Sequence, residues 1–160
     1  MKKFIRIVSV IALVFVMTVI FIFSSQNAVA SKSTSTGFTA KIISFFYPEF
    51  AKMSIDKQNE IIDNLPISVR KCAHFTLYFC LGACAYCTLV TYKKVKKPLK
   101  IILPAVFCVL YALSDEFHQT FVKGRSGELR DVLIDSVAAI IAVAVMSLVF
   151  SLKKVKKIIN

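Results

Sequence analysis

The sequence predicts an all-α membrane protein, a bundle of four transmembrane helices with both termini cytoplasmic. Three observations carry this expectation. The 160 residues are 57% hydrophobic with a mean hydropathy of +0.70 and no tryptophan, and the apolar residues gather in runs too long for a soluble core. These runs are uniformly apolar rather than alternating, so helices that close their own backbone hydrogen bonds fit and β-barrel strands do not. The basic residues also fall where cytoplasmic loops would lie.

The first run, residues 4–23, carries charge only at Arg6, and ~20 apolar residues cross a hydrocarbon core ~30 Å thick. Lys2, Lys3 and Arg6 also resemble the basic start of a signal peptide, and Ala28-Val29-Ala30 has the form of a cleavage site. The run exceeds the usual ~7 to 15 apolar residues of such a peptide, so a retained helix is expected. Residues 72–92 form the second span. The third, residues 99–116, is apolar only to Leu113 and takes in polar residues to reach the interface. Residues 132–152 are the fourth, with Asp135 one turn inside. A single membrane domain over residues 1–160 is expected.

The segment 24–71 between the first two spans reads as an outer loop with interfacial helices. Its Ser/Thr-rich part, residues 31–39, predicts a flexible connector. Phe38, Ile42, Phe45, Phe46 and Phe50 then recur near helical spacing, with Pro48 close to the end, as in a helix lying on a membrane surface. Ser54 is placed to cap a short helix through Ile55, Ile61, Ile62 and Leu65, which Pro66 would stop.

Charge sets the orientation. The net charge is +12, which in a soluble protein would raise nucleic acid as a partner. With the N-terminus cytoplasmic, however, twelve basic residues and no acid fall on the inner side, and the other nine face the nine acids outside. This positive-inside asymmetry accounts for the whole excess, and no nucleic-acid partner is expected. Lys-Lys-Val-Lys-Lys occurs at 93–97 and again at 153–157, each time after a span that would exit into the cytoplasm. Near anionic lipid, each such lysine contributes about 1 kcal/mol.

All five cysteines, Cys72, Cys80, Cys84, Cys87 and Cys108, fall within predicted spans. Cys84 and Cys87 have the C-x-x-C spacing of redox or zinc sites, but zinc thiolate sites generally use two such pairs on turns. Cys80, Cys84 and Cys87 beside Gly82 and Ala83 therefore read as a face for close helix packing. The odd count, with none in the outer loops, argues against structural disulfides.

Ionisable residues cluster where apolar runs meet their polar borders, and such groups point to function when partners can be named. Arg70, His74 and Tyr78 follow at i, i+4 and i+8, with Lys71 nearby on the same face. Asp115, His118 and Gln119 share a face of the third span, with Glu116 about 100° away. Glu128, Asp131 and Asp135 follow on the fourth. With the expected topology all three faces end at the outer membrane surface.

Three chemistries suit these residues. One is a network clamping helix ends, with Arg70 or Arg125 on Asp115, Asp131 or Asp135. Another is catalysis, with His74, Asp115, Glu116, His118 and Asp131 as acid, base or metal ligands. No HExxH or comparable fixed pair occurs, and neither a metal nor another cofactor is expected. The third is a site for an anionic ligand, with Lys71, Lys123, Arg125 and Arg130 holding a phosphate or carboxylate.

The same residues resemble the VanZ-like family of small bacterial membrane proteins. The likeness runs through Arg70-Lys71-Cys72-Ala73-His74-Phe75, Tyr78 and Leu81-Gly82. It continues through Tyr111-Ala112-Leu113-Ser114-Asp115-Glu116-Phe117-His118-Gln119, Phe121-Val122-Lys123-Gly124-Arg125 and Asp131-Val132-Leu133-Ile134-Asp135, and Ser24-Ser25-Gln26 also fits. Lys123 stands where the family has proline, and Ala138 and Ala142 where glycines are frequent. The resemblance implies a multi-pass cell-membrane protein linked, in its founding member, to resistance against glycopeptide antibiotics of the teicoplanin type. Such drugs act on cell-wall precursors outside the membrane. The expected partners are therefore the bilayer and a lipid-linked cell-wall precursor or lipoglycopeptide at the outer leaflet, with Arg70, Lys71, Gln119, Arg125 and Asp135 as ligand-binding residues. A membrane enzyme acting on a lipid-linked phosphate or acyl substrate is the alternative.

Overall fold

The computed structural model describes residues 2–65 and 69–159, with side chains for 3–65 and 69–152. It contains α1 (Lys2–Ser24), α2 (Ala28–Phe46), a short 3-10 helix (Pro48–Lys52), α3 (Ile55–Asp63), α4 (Val69–Val90), α5 (Leu99–Gln119) and α6 (Leu129–Ile159), and no strand among the described residues. Among the described residues, three helical stretches are long and apolar enough to cross a membrane: Lys3–Ser24, Val69–Val90 and Leu129–Leu152. α5, expected as a further span, has 21 residues and so reaches ~31 Å. It is not among the three, and its last two turns carry Asp115, Glu116 and His118.

α4 is the central helix. It packs against α1, α5 and α6, and α6 also packs along α5. The core between them is built mostly from small or flat side chains: Leu81 and Tyr78 of α4, Cys108 and Ala112 of α5, Ala138 and Ala139 of α6. Large apolar residues point the other way, with Phe15, Leu110, Leu133 and Leu148 all exposed. A soluble monomer keeps such contiguous apolar surface small, whereas lipid accepts it and leaves close packing of small residues to hold helices together.

α4 and α6 approach closely at Gly82. A Cβ there would stand 2.9 Å from the Cα of Ala139 and strike the Ala139 carbonyl oxygen. The packing face of α4 is thus Tyr78, Leu81, Gly82, Ala85 and Tyr86. This corrects the cysteine face expected from the sequence, because Cys80 is exposed and Cys84 and Cys87 only half-buried. Gly82 was in the right neighbourhood, but one helix carries several stripes of small residues and only packing selects among them.

The connector expected at residues 31–39 is helical instead. Asn27 caps α2, its side chain accepting from the Ala30 amide at 2.8 Å. Three of the hydroxyls that make this stretch look like a loop donate back within the helix, Thr34 to Ala30 O, Ser35 to Lys32 O and Thr39 to Ser35 O, a pattern helices tolerate at small cost. The short α3 forms after Ser54, though without a side-chain cap bond. It ends at Asp63, and Pro66, its expected stop, lies outside the described residues.

At the end of α4 beside the Lys93–Lys97 turn, cations from elsewhere meet the helix terminus. Arg6 donates to Thr91 Oγ1 and to the Thr91 carbonyl, both at 3.3 Å, and lies 4.1 Å over the Tyr92 ring. Lys100 Nζ donates to Val90 O at 3.4 Å. Basic side chains at a helix C-terminus satisfy orphan carbonyls and complement the helix dipole.

The Gly82 contact makes a direct prediction. Gly82→Ala is expected to destabilise the bundle by about 1–3 kcal/mol through overpacking, read as a lower unfolding temperature in mild detergent. Gly37→Ala is the control, since a Cβ at Gly37 meets nothing within 4 Å and removing a glycine from a helix interior stabilises by roughly 0.5–1 kcal/mol. Equal behaviour of the two variants would refute the close α4–α6 contact.

Candidate functional site

At the other end of the bundle the polar borders of α1, α4, α5 and α6 converge with the loop between α5 and α6. Gln119, the last residue of α5, is buried at the centre. Its carbonyl Oε1 accepts from Arg125 Nη1 at 2.9 Å and Arg70 Nη2 at 3.3 Å. Its amide Nε2 donates to Glu116 Oε1 at 2.9 Å, with Asp115 Oδ2 and Ser24 Oγ at 3.3 and 3.4 Å. Two guanidinium groups on one side and two carboxylates on the other fix which way the amide points.

The carboxylates are held further by backbone and hydroxyl donors. Ser24 Oγ, wholly buried at the end of α1, donates to Asp115 Oδ2 at 2.8 Å. Glu116 Oε2 accepts from the backbone amide of Glu128 at 2.9 Å, just ahead of α6. Negative charge is favourable at a helix N-terminus, where amides lack partners.

Arg125 reaches this network because the chain turns sharply before it. Gly124 has a φ of 77°, a left-handed conformation that glycine adopts without strain. Arg125 then donates to the carbonyls of Ser24 at 3.2 Å and Phe23 at 3.3 Å, the last carbonyls of α1. Burial, and next the neighbouring Arg70 guanidinium, push the Arg125 pKa down from its ordinary value, while Asp115 and Glu116 oppose the shift. Guanidinium groups stay charged in proteins, so Arg125 meets α1 as a cation.

Beside this network lies a cavity of about 290 Å³ lined by the basic Arg70, Lys71, His74 and Arg125 and the acidic Glu128, Asp131 and Asp135. His74 Nδ1 is 3.6 Å from Asp135 Oδ2, and Lys71 Nζ is 3.3 Å from Asp131 Oδ1. These are the ion pairs at this border among the described residues. The arginine–carboxylate clamps that the sequence allowed do not form, because Arg70 and Arg125 are directed to Gln119 and to backbone carbonyls instead.

The two histidines are separated. His118 packs against Phe21, the ring centroids 4.8 Å apart, and places Nε2 3.2 Å from Ser25 Oγ. The Ser25 hydroxyl also lies 2.7 Å from Phe21 O. Glu116, by contrast, joins Asp115 despite its different direction on the helix. No group of three or more His, Cys, Asp or Glu residues that could hold a metal ion occurs among the described residues.

Ser24 joins the site beyond the expected residues, and Tyr78, expected on the Arg70–His74 face, lies beside it. Tyr78 is wholly buried, with Asp115 and Asp135 as its acidic neighbours. The sequence signal for Ser24 is its place as the first polar residue after the apolar run of α1. It carries no charge, so it draws no attention by itself.

The convergence of these motifs on one network agrees with a comparison of the whole chain. The profile of the VanZ/LLP1 family matches residues 9–150. The chain belongs to the VanZ/LLP1 family. No curated protein and no solved structure gives a match. As a VanZ-type protein with apolar spanning helices, it is a membrane protein. The motifs through which it resembles the family, from Arg70 to His74, Asp115 to Gln119 and Gly124-Arg125, are those that build the polar end described above.

Gln119 links both charges of the site, and its removal has a defined outcome. Gln119→Leu is expected to lose at least about 2 kcal/mol, because hydrogen bonds to charged groups contribute ~1.5–3 kcal/mol. Ser24→Ala, which removes one hydroxyl donor, should lose less. Denaturant unfolding in detergent micelles checks both, and a Gln119→Leu protein as stable as the wild type would mean that the amide does not organise this end.

Proposed function

We propose that the protein is a four-span bundle with both termini cytoplasmic and the polar end at the outer face of the cell membrane, and that it is an envelope factor lowering the effect of teicoplanin-type glycopeptides. In this reading Arg70, Lys71, Gln119, Arg125 and Asp135 serve a lipid-linked cell-wall precursor or lipoglycopeptide at the outer leaflet. Arg70, Lys71, Arg125 and Asp135 line the cavity, and Gln119 fixes the two arginines. The observation that carries the reading is this convergence of separate polar borders around one cavity, at the end of α4 away from the Lys93–Lys97 turn. Positive-inside charge supports the orientation, and family membership supports the resistance role.

A second reading is a membrane enzyme acting on a lipid-linked phosphate or acyl group. It is favoured by one contact, His74 beside Asp135 in the cavity wall. A histidine oriented by a carboxylate is a competent general base, and losing one member of such a pair typically lowers rate by ~10²–10⁴.

Expression in a susceptible Gram-positive host is expected to raise the teicoplanin concentration needed to stop growth. Arg125→Gln should abolish that effect at equal protein level, and an unchanged teicoplanin response in both strains would sink the resistance role. For topology, cysteines introduced at the exposed positions Asn59 and Lys123 should react with an impermeant maleimide in intact cells, and cysteines at Lys94 and Lys96 only after lysis. The reverse pattern would overturn the orientation.

A further inference from the structure

A second cavity, of about 210 Å³, lies between α1, α2 and α4 and shares three residues with the first: Arg70, His74 and Arg125. Its character is opposite. Phe23, Phe38, Val69, Ala73 and Leu77 line it. The hydroxyls of Thr34 and Ser35 in its wall donate to the backbone of their own helix. Its charged residues are the two arginines, whereas the acids Glu128, Asp131 and Asp135 all line the first cavity. An apolar cleft, a seam of cations and a mixed polar chamber thus follow one another.

That order is the order of groups in an amphiphile. We infer that the two cavities form one binding site for a single-chain phosphate ester, with the hydrocarbon chain in the cleft between α2 and α4 and the phosphate at the Arg70–His74–Arg125 seam. Alcohol or sugar groups beyond the phosphate would meet the acids of the first cavity, which accept hydrogen bonds from hydroxyls. Neither cavity alone reaches the ~300 Å³ at the lower end of small-molecule sites, and joined they do. Arginine suits a phosphate because its planar fork matches the oxygens. Arg125 lines both cavities as a charged group, its Nη atoms held in place by Gln119, Ser24 and Phe23. The two carboxylates that act on Arg125, Asp115 and Glu116, are already engaged by Gln119, Ser24 and the Glu128 amide. Phe38 and Ala73 are exposed on the described surface, so the cleft can be entered from the side.

The inference rests on the proposed ligand site at the polar end and adds the chemical class of its ligand. The test uses the full chain in phosphatidylcholine nanodiscs and a dodecyl phosphate carrying a terminal diazirine. Photolabel is expected on residues 34–38 and 73–77, competed by dodecyl phosphate and not by dodecyl maltoside. Plugging the cleft by Ala73→Trp, or from the other wall by Ser35→Trp, should cut the label at least tenfold while the protein still elutes as a single species. Inorganic phosphate, which needs only the seam, should still raise the unfolding temperature of both plugged variants. Competition by the maltoside equal to that of the phosphate would overturn the phosphate class. Stabilisation by inorganic phosphate with scattered label would overturn the chain cleft and leave the polar ligand site standing. If neither phosphate nor dodecyl phosphate binds, both fall.

Discussion

The structure depends on how the ends of its helices are satisfied. A helix leaves its last carbonyls without partners, and near lipid there is little water to serve them. Here a side chain from a distant part of the chain does so. Arg125 closes α1 through Phe23 O and Ser24 O, Arg6 and Lys100 close α4 through Thr91 O and Val90 O, and Glu116 receives the amide that precedes α6. These three helix ends are therefore also tertiary contacts. They add fixed points to the small-residue core that holds α4 against α6 at Gly82.

At the polar end this arrangement passes through a neutral amide. Direct pairing of Arg125 or Arg70 with Asp115 or Glu116 would give strong attraction, but in a buried setting the loss of hydration roughly cancels it. Hydrogen bonds from charged groups to Gln119 keep ~1.5–3 kcal/mol each without collapsing the two charge types together. Arg70 and Arg125 consequently meet the Gln119 carbonyl, while Asp115 and Glu116 meet its amide. Gly124 and Gln119 act in concert here, one turning the chain and the other receiving the guanidinium it delivers.

Much of this was legible in the sequence, and the failures have a common cause. Apolar runs gave the long helices, and the polar borders gave Arg70, His74, Asp115, Gln119 and Arg125. Periodicity along one helix tells which residues share a face, but not which neighbour occupies that direction. Glu116 points away from Asp115 on a helical wheel, yet the chain entering α6 brings an amide to it. His118 shares Asp115's face and is taken by Phe21 and Ser25 of α1 instead. The cysteine stripe of α4 looked like a packing surface, while the Gly82 stripe beside it met Ala139. Residues 31–39 differ for another reason: serine and threonine are only weakly unfavourable in a helix, and the Asn27 cap and the packing of α2 on α4 outweigh that preference.

The two ends of the bundle provide an internal comparison. Both must close helix termini with basic residues, and at the end near Lys93–Lys97 Arg6 and Lys100 accomplish this for α4 with exposed or half-buried groups and no cavity among those described there. Closing α1 at the other end takes Arg125 alone. Arg70, Lys71, His74, Asp131 and Asp135 are not needed for that task, yet they line one chamber beside Arg125. Polar groups held near an apolar span beyond what the helix ends require are expensive to keep. That surplus, found at one end and not at the other, is the physical reason to look for a ligand there.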